Sequence, residues 1–545
     1  MLPKGTTYEE LYKNFSWNVP EFYNIGVMVC DRWAEREPDR EAITVVGEAG
    51  TAKSYTYSHL KELSSRLCNL LISKGVERGD RVAILLPQTV ETACSHIATY
   101  KMGAIALPLF TLFGEEALAF RLENSGAKIL ITNSEGAQKL SSIQSRLPNL
   151  QLILNIEEAT QNSTYLYEGL EKYSSEFTPV PTKAEDPALI IYTSGTTGQP
   201  KGALHAHRTF IGHLWSTDYL YNGLPREGDR AWTPSDWAWI AGLLNILMPS
   251  LYYGIPVVAH RFKKFSGEAA FQLLHDQNIT NAFLPPTALK MMRLVEKPEK
   301  RWNCKIRSIT CGGETVGAEI IEWGRQIFGI TISECYGQTE CNLCIGTCTQ
   351  LMEARPGLIG KEVPGFQVEI VDGNGHPLPP DTLGAIAVKT PVPIMMTQYW
   401  QNPEATKNKF KNGYLLTGDE GTKDADGWFR FVGRDDDVIT SAGYRIGPGE
   451  IEDYLLKHPA VAIAGVIGKP NKERTEIVKA YVVLKKGHSG TQQLHDELQN
   501  FVKHGLAAYE YPREIEFVED LPLTTTGKII RSQLRARAKA ELENK

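Results

Sequence analysis

The sequence predicts an α/β protein: a large N-terminal domain of two α/β subdomains plus a small β-subdomain, followed by a separate α+β C-terminal domain. Three observations carry this. Strands and helices alternate from residue 41 to about residue 336. From about Lys361, short strands follow one another across Asp-Gly, Gly-Asn and Asp-Ala-Asp-Gly turns. After the charged, turn-prone Gly433-Arg434-Asp435-Asp436-Asp437, a mixture of both elements resumes. At 545 residues the chain exceeds what one core serves, and the expected boundary separates residues 1–434 from residues 435–545.

Glu41–Val46 and residues 55–57 read as an opening hairpin. From Ser58, Leu60, Leu63, Leu67, Leu70 and Leu71 recur at helical spacing, and Gly75 stands where a C-terminal cap belongs. Strands at 81–86, 104–109 and 128–132 alternate with helices at 90–102 and 115–124. Such alternation implies right-handed βαβ units and a parallel sheet covered on both faces. Residues 188–192 form a short apolar run with the composition of a buried strand. The most apolar stretch, 243–259, falls short of the roughly 20 residues of a membrane helix. It carries Pro249, Gly254 and Pro256 and reads as buried helix, turn and strand. The alternation recurs at 281–284, a helix from Thr287, 308–311, a helix from Gly317, and 332–336. Residues 367–371, 384–389, 414–416 and 428–432 then read as antiparallel strands. The last unit reads as a helix at 449–457, strands at 462–466 and 478–484, a helix at 492–503, a strand at 515–518 and a charged final helix.

Hydrophobic content of 42% and charged content of 22% are those of a soluble globular chain. A net charge of −6 and a pI near 6.1 argue against nucleic acid as the main partner. The first fifteen residues hold no apolar core, so no signal peptide is expected. Nine cysteines in this length suit a reducing compartment, and a cytoplasmic location is expected. Cys341, Cys344 and Cys348, with Cys335 upstream, invite a zinc or iron–sulfur reading. The second well-spaced Cys or His pair is missing, so they are read as small packed hydrophobes.

The strand at 188–192 runs into Thr193-Ser194-Gly195-Thr196-Thr197-Gly198-Gln199-Pro200-Lys201-Gly202. Gly195, Gly198 and Gly202 let backbone N–H groups approach a ligand closely. Thr193, Ser194, Thr196 and Thr197 add hydroxyls, and Lys201 adds a positive charge. This composition describes a polyphosphate cradle; the alternative, a solvated linker, rarely follows a buried strand directly. The kinase and GTPase P-loop is excluded, because Pro200 precedes Lys201 and Gly202 follows it, where that loop opens a helix.

The loop closely resembles the signature of the AMP-forming acyl-adenylate superfamily, which includes acyl-CoA synthetases, peptide-synthetase adenylation domains and firefly luciferases. Four further stretches match it in order and span nearly the whole chain, with medium-chain acyl-CoA synthetases the nearest in kind. The resemblance implies that Glu334-Cys335-Tyr336-Gly337-Gln338-Thr339-Glu340 packs against adenine and phosphates, with Glu340 helping to hold Mg²⁺. A hard cation bridging phosphates wants such a carboxylate oxygen. Gly312-Gly313-Glu314-Thr315 looks like the adenine-side wall. Asp419, in Thr417-Gly418-Asp419, would accept from the ribose hydroxyls, as an acceptor-only carboxylate does well. Arg434 resembles the arginine that supports the nucleotide, and Asp436 the pivot of a mobile α+β C-terminal domain.

Lys528, in Pro522-Leu-Thr-Thr-Thr-Gly-Lys528, resembles the catalytic lysine that the small domain carries into the site. Its ammonium would stabilise charge that builds on the α-phosphate. Thr193, Glu340 and Lys528 are thus the expected catalytic set. For the thiol acceptor, Gly443, Tyr444 and Arg445 resemble the loop facing the pantetheine tunnel. Arg474, Lys503, Tyr511 and Arg513 match, less securely, positions that contact coenzyme A. Where acetate-activating relatives carry tryptophan this chain has Gly337, which is expected to open the acyl pocket and disfavour acetate. Trp237 or Trp239 is expected to line its other side, and either could be plain core.

The function implied is an ATP-dependent acid:CoA ligase with ATP, Mg²⁺ and coenzyme A, acting on a medium-chain, branched or cyclic acid. A benzoate-type aryl acid and transfer to a carrier protein are the alternatives. A nucleotide-binding sensor that has lost catalysis is a further alternative, against which an intact Lys528, Glu340 and Asp419 speak. Acylation of Lys528 by a lysine acetyltransferase, reversed by a deacetylase, would silence adenylation by removing its charge. A homodimer is also admitted.

Overall fold

The computed structural model describes residues 6–193, 200–313, 316–434, 437–441, 444–471, 474–506, 510–523 and 528–543. Among them no helix is long and apolar enough to cross a membrane. Four sheets organise the described residues, and the expected fold class holds.

The first is an eight-stranded sheet built around the parallel strands Arg81–Leu85, Ile105–Pro108, Ile129–Thr132 and Leu152–Asn155. Their side chains are buried almost throughout, as strands covered on both faces require. Helix Tyr57–Ser73 packs against the helix Val90–Lys101 with the leucines of the helical stripe inward. It ends at Lys74, and Gly75 takes φ +80°, the left-handed cap expected of it.

The second sheet has nine strands, with Asn281–Phe283, Ser308–Gly312 and the start of Ser333–Gln338 parallel at its centre. The opening hairpin belongs here rather than with the strands that follow it in sequence. Glu41–Val46 pairs in parallel with Val257–Ala259, and Ala52–Thr56 forms the sheet edge. Alternation alone could not show this placement, since the parallel partner Val257–Ala259 lies far along the chain.

A five-stranded half-barrel follows, with Val368–Val371, Gly384–Lys389, Tyr414–Lys423 and Phe429–Arg434 antiparallel. The small terminal sheet is dominated by the long hairpin Val461–Asn471 and Thr475–Leu484. It carries Pro448–Leu455, Gln492–Gly505 and Arg531–Glu543 as its helices. The half-barrel ends at Arg434, and the small sheet begins at Ile439.

Candidate active site

The strands on either side of the glycine-rich loop, Pro187–Thr193 and Lys201–Ala206, pair antiparallel, and Lys201 opens a strand, not a helix. The loop's base is closed by the Thr193–Lys201 pair, where Thr193 Oγ1 donates to the Lys201 carbonyl at 3.4 Å. Ser194, Gly195, Thr196, Thr197 and Gly198 lie outside the described residues, as do Glu314, Thr315, Asp436 and Gly443.

Lys201 and Glu340 meet on either side of one phenol. The Lys201 ammonium lies 5.5 Å from the Tyr399 ring centroid, and Tyr399 Oη donates to Glu340 Oε1 at 2.6 Å. Tyr399 is placed by a two-residue strand that pairs with Ala203, just beyond the hairpin base. The Glu340 carbonyl in turn accepts from Met396 N–H at 2.9 Å. Glu340 therefore presents a buried, oriented carboxylate beside a lysine at the mouth of the loop. A carboxylate oxygen of this kind can serve as one ligand of a hard divalent cation whose other ligands are phosphate oxygens and water.

The second focus is Asp419, on the strand Tyr414–Lys423 opposite Arg434. Tyr336 Oη donates to Asp419 Oδ2 at 2.6 Å and Gln338 Nε2 to the same oxygen at 3.3 Å. Gln338 Nε2 also donates to the Thr417 carbonyl at 2.9 Å. Lys409 Nζ reaches Gln338 Oε1 and the Thr417 carbonyl, both at 3.0 Å. Burial pushes the Asp419 carboxyl above its usual range; the Tyr336 hydroxyl and the charges of Arg434, Lys409 and Lys528 pull it back. Burial, and then the Asp419 charge, hold the Tyr336 phenol well above its ordinary value.

Glu334 lies behind these groups. Its Oε1 accepts from Val316 N–H at 3.2 Å, and burial raises the carboxyl to about 8, with the charge of Asp453 adding to the rise. Asp453 belongs to the terminal domain's helix Pro448–Leu455 and faces Gly317, with Lys290 Nζ 4.0 Å from its Oδ1. Thr339 fills the half-buried turn between Gln338 and Glu340.

Lys528 reaches this cleft from the last domain. At Gly313, which follows the strand Ser308–Gly312 and has φ +96°, a Cβ would sit 3.1 Å from Lys528 Nζ. The same ammonium acts on the Asp419 carboxyl. Residues 419 and 528, far apart in sequence, thus share one electrostatic site.

Gly337 lies at a close backbone approach. A Cβ there would stand 1.7 Å from the Asn342 carbonyl oxygen, because the strands Ser333–Gln338 and Asn342–Gly346 close on each other at a bulge. That approach requires glycine. Of the two tryptophans, Trp237 is wholly buried in the main core. Trp239 is half-buried and packs against Phe110 and Phe113, with ring centroids 5.5 and 6.1 Å away.

Of the coenzyme A candidates, Lys503 and Arg513 flank the Tyr511 ring at 5.5 and 4.9 Å, and Arg513 Nη1 donates to Tyr511 Oη at 3.0 Å. Arg474 sits apart from them, on the turn of the long terminal hairpin, its N–H bonded to Asn471 Oδ1 at 3.0 Å. Tyr444 and Arg445 form a strand with Ile446, and their side chains lie outside the described residues. The cysteines are all reduced, and all but the half-buried Cys304 are packed away from solvent.

Sequence reasoning missed Tyr399, Lys409 and Asp453. Each joins the site across a long sequence separation, and no local pattern marks a lone tyrosine, lysine or aspartate as a partner of Glu340, Gln338 or Glu334.

The profile of the AMP-binding enzyme family matches residues 30–400, and that of the AMP-binding enzyme C-terminal domain matches residues 450–528. The chain is 35% identical over 549 residues to the acetyl-coenzyme A synthetase of Bacillus subtilis (strain 168), covering 97% of this chain and 94% of that protein. It is also 35% identical over 532 residues to the human mitochondrial acyl-coenzyme A synthetase ACSM4, covering 95% and 91% respectively. Among solved structures, the anthranilate CoA ligase AuaEII in complex with anthranoyl-AMP superposes with a TM-score of 0.89 at 27% identity, over 96% of this chain and 99% of that one. The strand pair at Thr193 and Lys201, the Glu340 and Asp419 foci and the terminal lysine therefore sit on a fold held in common with these proteins along almost its full length. The chain belongs to the AMP-binding enzyme family and is an AMP-forming acyl-CoA synthetase, an acid–thiol ligase.

Proposed function

We propose that this synthetase joins a medium-chain, branched or cyclic carboxylic acid to coenzyme A through an acyl-adenylate, releasing AMP and pyrophosphate. Residues 1–434 act as the adenylation domain and residues 435–545 as a mobile domain that pivots at Asp436. The loop from Thr193 to Lys201 wraps the triphosphate, and Asp419 accepts from the ribose hydroxyls. Glu340 would hold Mg²⁺, which when bound neutralises phosphate charge. The observation that carries the reading is Lys528, whose ammonium lies against Gly313 and acts on Asp419. There it can meet negative charge as the acid's carboxylate attacks the α-phosphate.

Once the adenylate has formed, the terminal domain turns. Gly443, Tyr444 and Arg445 then face the pantetheine, while Lys503, Tyr511 and Arg513 offer two cations and a ring to the phosphoadenosine end. Acylation of Lys528 would abolish its charge and with it the first half-reaction.

A benzoate-type acid is the second reading, favoured by the likeness to a ligase described with anthranoyl-AMP. Gly337, in place of the tryptophan of acetate-activating relatives, argues against acetate, so acetate belongs in the test as the disfavoured acid. ATP–pyrophosphate exchange and thioester formation with free coenzyme A should be measured on acetate, butyrate to decanoate, benzoate and cyclohexane carboxylate. The proposal expects the best kcat/KM on a medium-chain or cyclic acid. Adenylate without thioester would point to a carrier protein instead, and exchange at background on every acid would refute the reading. Lys528→Gln should lose exchange by about 10²- to 10³-fold yet still form thioester from preformed adenylate.

A further inference from the structure

Lys528 is followed by Ile529, Ile530 and Arg531, and Arg531 opens the final helix. The Arg531 guanidinium grips Glu452 with both of the acid's oxygens engaged. Nη2 lies 2.9 Å from Oε1 and 2.7 Å from Oε2, and Nε lies 3.3 Å from Oε1. Glu452 is itself buried in the helix Pro448–Leu455, and its Oε1 accepts from Val466 N–H at 2.8 Å. The remaining arm of Arg531, Nη1, lies 3.6 Å from Asp437 Oδ2. One turn further along, Arg535 takes Asp437 Oδ1.

Asp437 stands where the chain leaves the half-barrel. Its backbone N–H donates to the Arg434 carbonyl at 2.9 Å, and Arg434 faces Asp419 across the strand pair. The stretch that bears Lys528 is also pinned at its base. Leu523 and Ile529 form an isolated bridge, and Ile530 N–H donates to the Pro522 carbonyl at 2.8 Å. One set of charges therefore joins the exit from the half-barrel, a buried helix of the small domain and the segment carrying the lysine. An exposed lysine side chain has no rigidity of its own, and transition-state stabilisation tolerates displacements of only a fraction of an ångström.

We propose that Arg531 is a positioning residue for Lys528. Through Glu452 and Asp437 it makes the lysine segment one rigid body with the pivot, so that rotation near Asp436 delivers the ammonium to a fixed place. The inference rests on the reading of Lys528 given above. It concerns only the first half-reaction, because the lysine has left the cleft in the second.

The test compares wild type with Arg531→Met, Arg531→Lys, Glu452→Gln and Asp437→Asn, with Lys528→Ala as the reference. Each is assayed for ATP–pyrophosphate exchange and, separately, for thioester formation from synthetic acyl-adenylate and coenzyme A. Arg531→Met should lower exchange kcat by about tenfold or more while the KM for ATP and the thioester rate stay within about twofold. Arg531→Lys keeps the charge without the two-pronged fork and should recover part of the loss. If Arg531→Met impairs folding, Glu452→Gln and Asp437→Asn must show the same exchange-only loss in smaller measure. Equal losses in both half-reactions would make the cluster purely structural and overturn the proposal, as would unchanged exchange. A Lys528→Ala variant with full exchange would instead refute the role of the lysine itself.

Discussion

Replacing Gly313 by alanine perturbs the proposed catalytic geometry with a single methyl group. Two effects follow from the structure. At φ +96° the residue lies where side chains with a Cβ are strained, costing roughly 1–3 kcal/mol of stability. The new Cβ would also stand 3.1 Å from Lys528 Nζ and 3.2 Å from its Cε, inside ordinary van der Waals contact. The flexible lysine end is the group that yields, by a few tenths of an ångström. A full ångström of misplacement can cost about 10²-fold, so this shift should cost adenylation about 3- to 10-fold. Thioester formation from preformed adenylate, with the small domain rotated away, should change less than twofold. The assay is pyrophosphate exchange against thioester formation on the same preparation, with thermal unfolding to register the strain. Equal losses in both half-reactions, or an unchanged exchange rate in a destabilised protein, would refute a lysine that works against Gly313.

Tyr399→Phe removes the hydroxyl that fixes Glu340 at 2.6 Å. Hydrogen bonds to charged groups are worth about 1.5–3 kcal/mol, so kcat/KM for Mg·ATP should fall about tenfold or more, and a change under twofold would detach Tyr399 from the metal-binding acid. Glu334, held near 8 by burial, binds its proton more tightly in the folded chain than in the unfolded one, where a value near 4.5 is expected. Its contribution is present below that lower value and is lost as pH rises through about 8, at about 1.4 kcal/mol per unit. Glu334→Gln should therefore melt close to wild type near pH 4.5 and above it at pH 8; parallel melting curves would sink the assignment. Arg208 donates to the backbone carbonyls of Val392 and Met395 at 3.4 and 3.1 Å, tying the hairpin's following helix to the segment before Tyr399. Arg208→Met should lower thermal stability and raise the KM for ATP together, whereas a change in stability alone would separate that tie from the nucleotide site.

Element types and family membership were legible along the chain. Apolar runs of five residues, helical leucine spacing and turn dipeptides are local signals, and burial in both sheets obeyed them at residues 81–85, 105–108 and 308–312. Gly195, Gly198 and Lys201 point to a phosphate loop in sequence because a cradle of N–H groups and one cation would be a local device. Which sheet takes Glu41–Val46, why residue 337 is glycine, and which distant side chains fix the motif residues came from packing in three dimensions. Tyr399 on Glu340, Lys409 on Gln338 and Arg531 between Glu452 and Asp437 are contacts between segments tens of residues apart. Their energies depend on distance and burial in space, quantities that spacing along a chain does not encode.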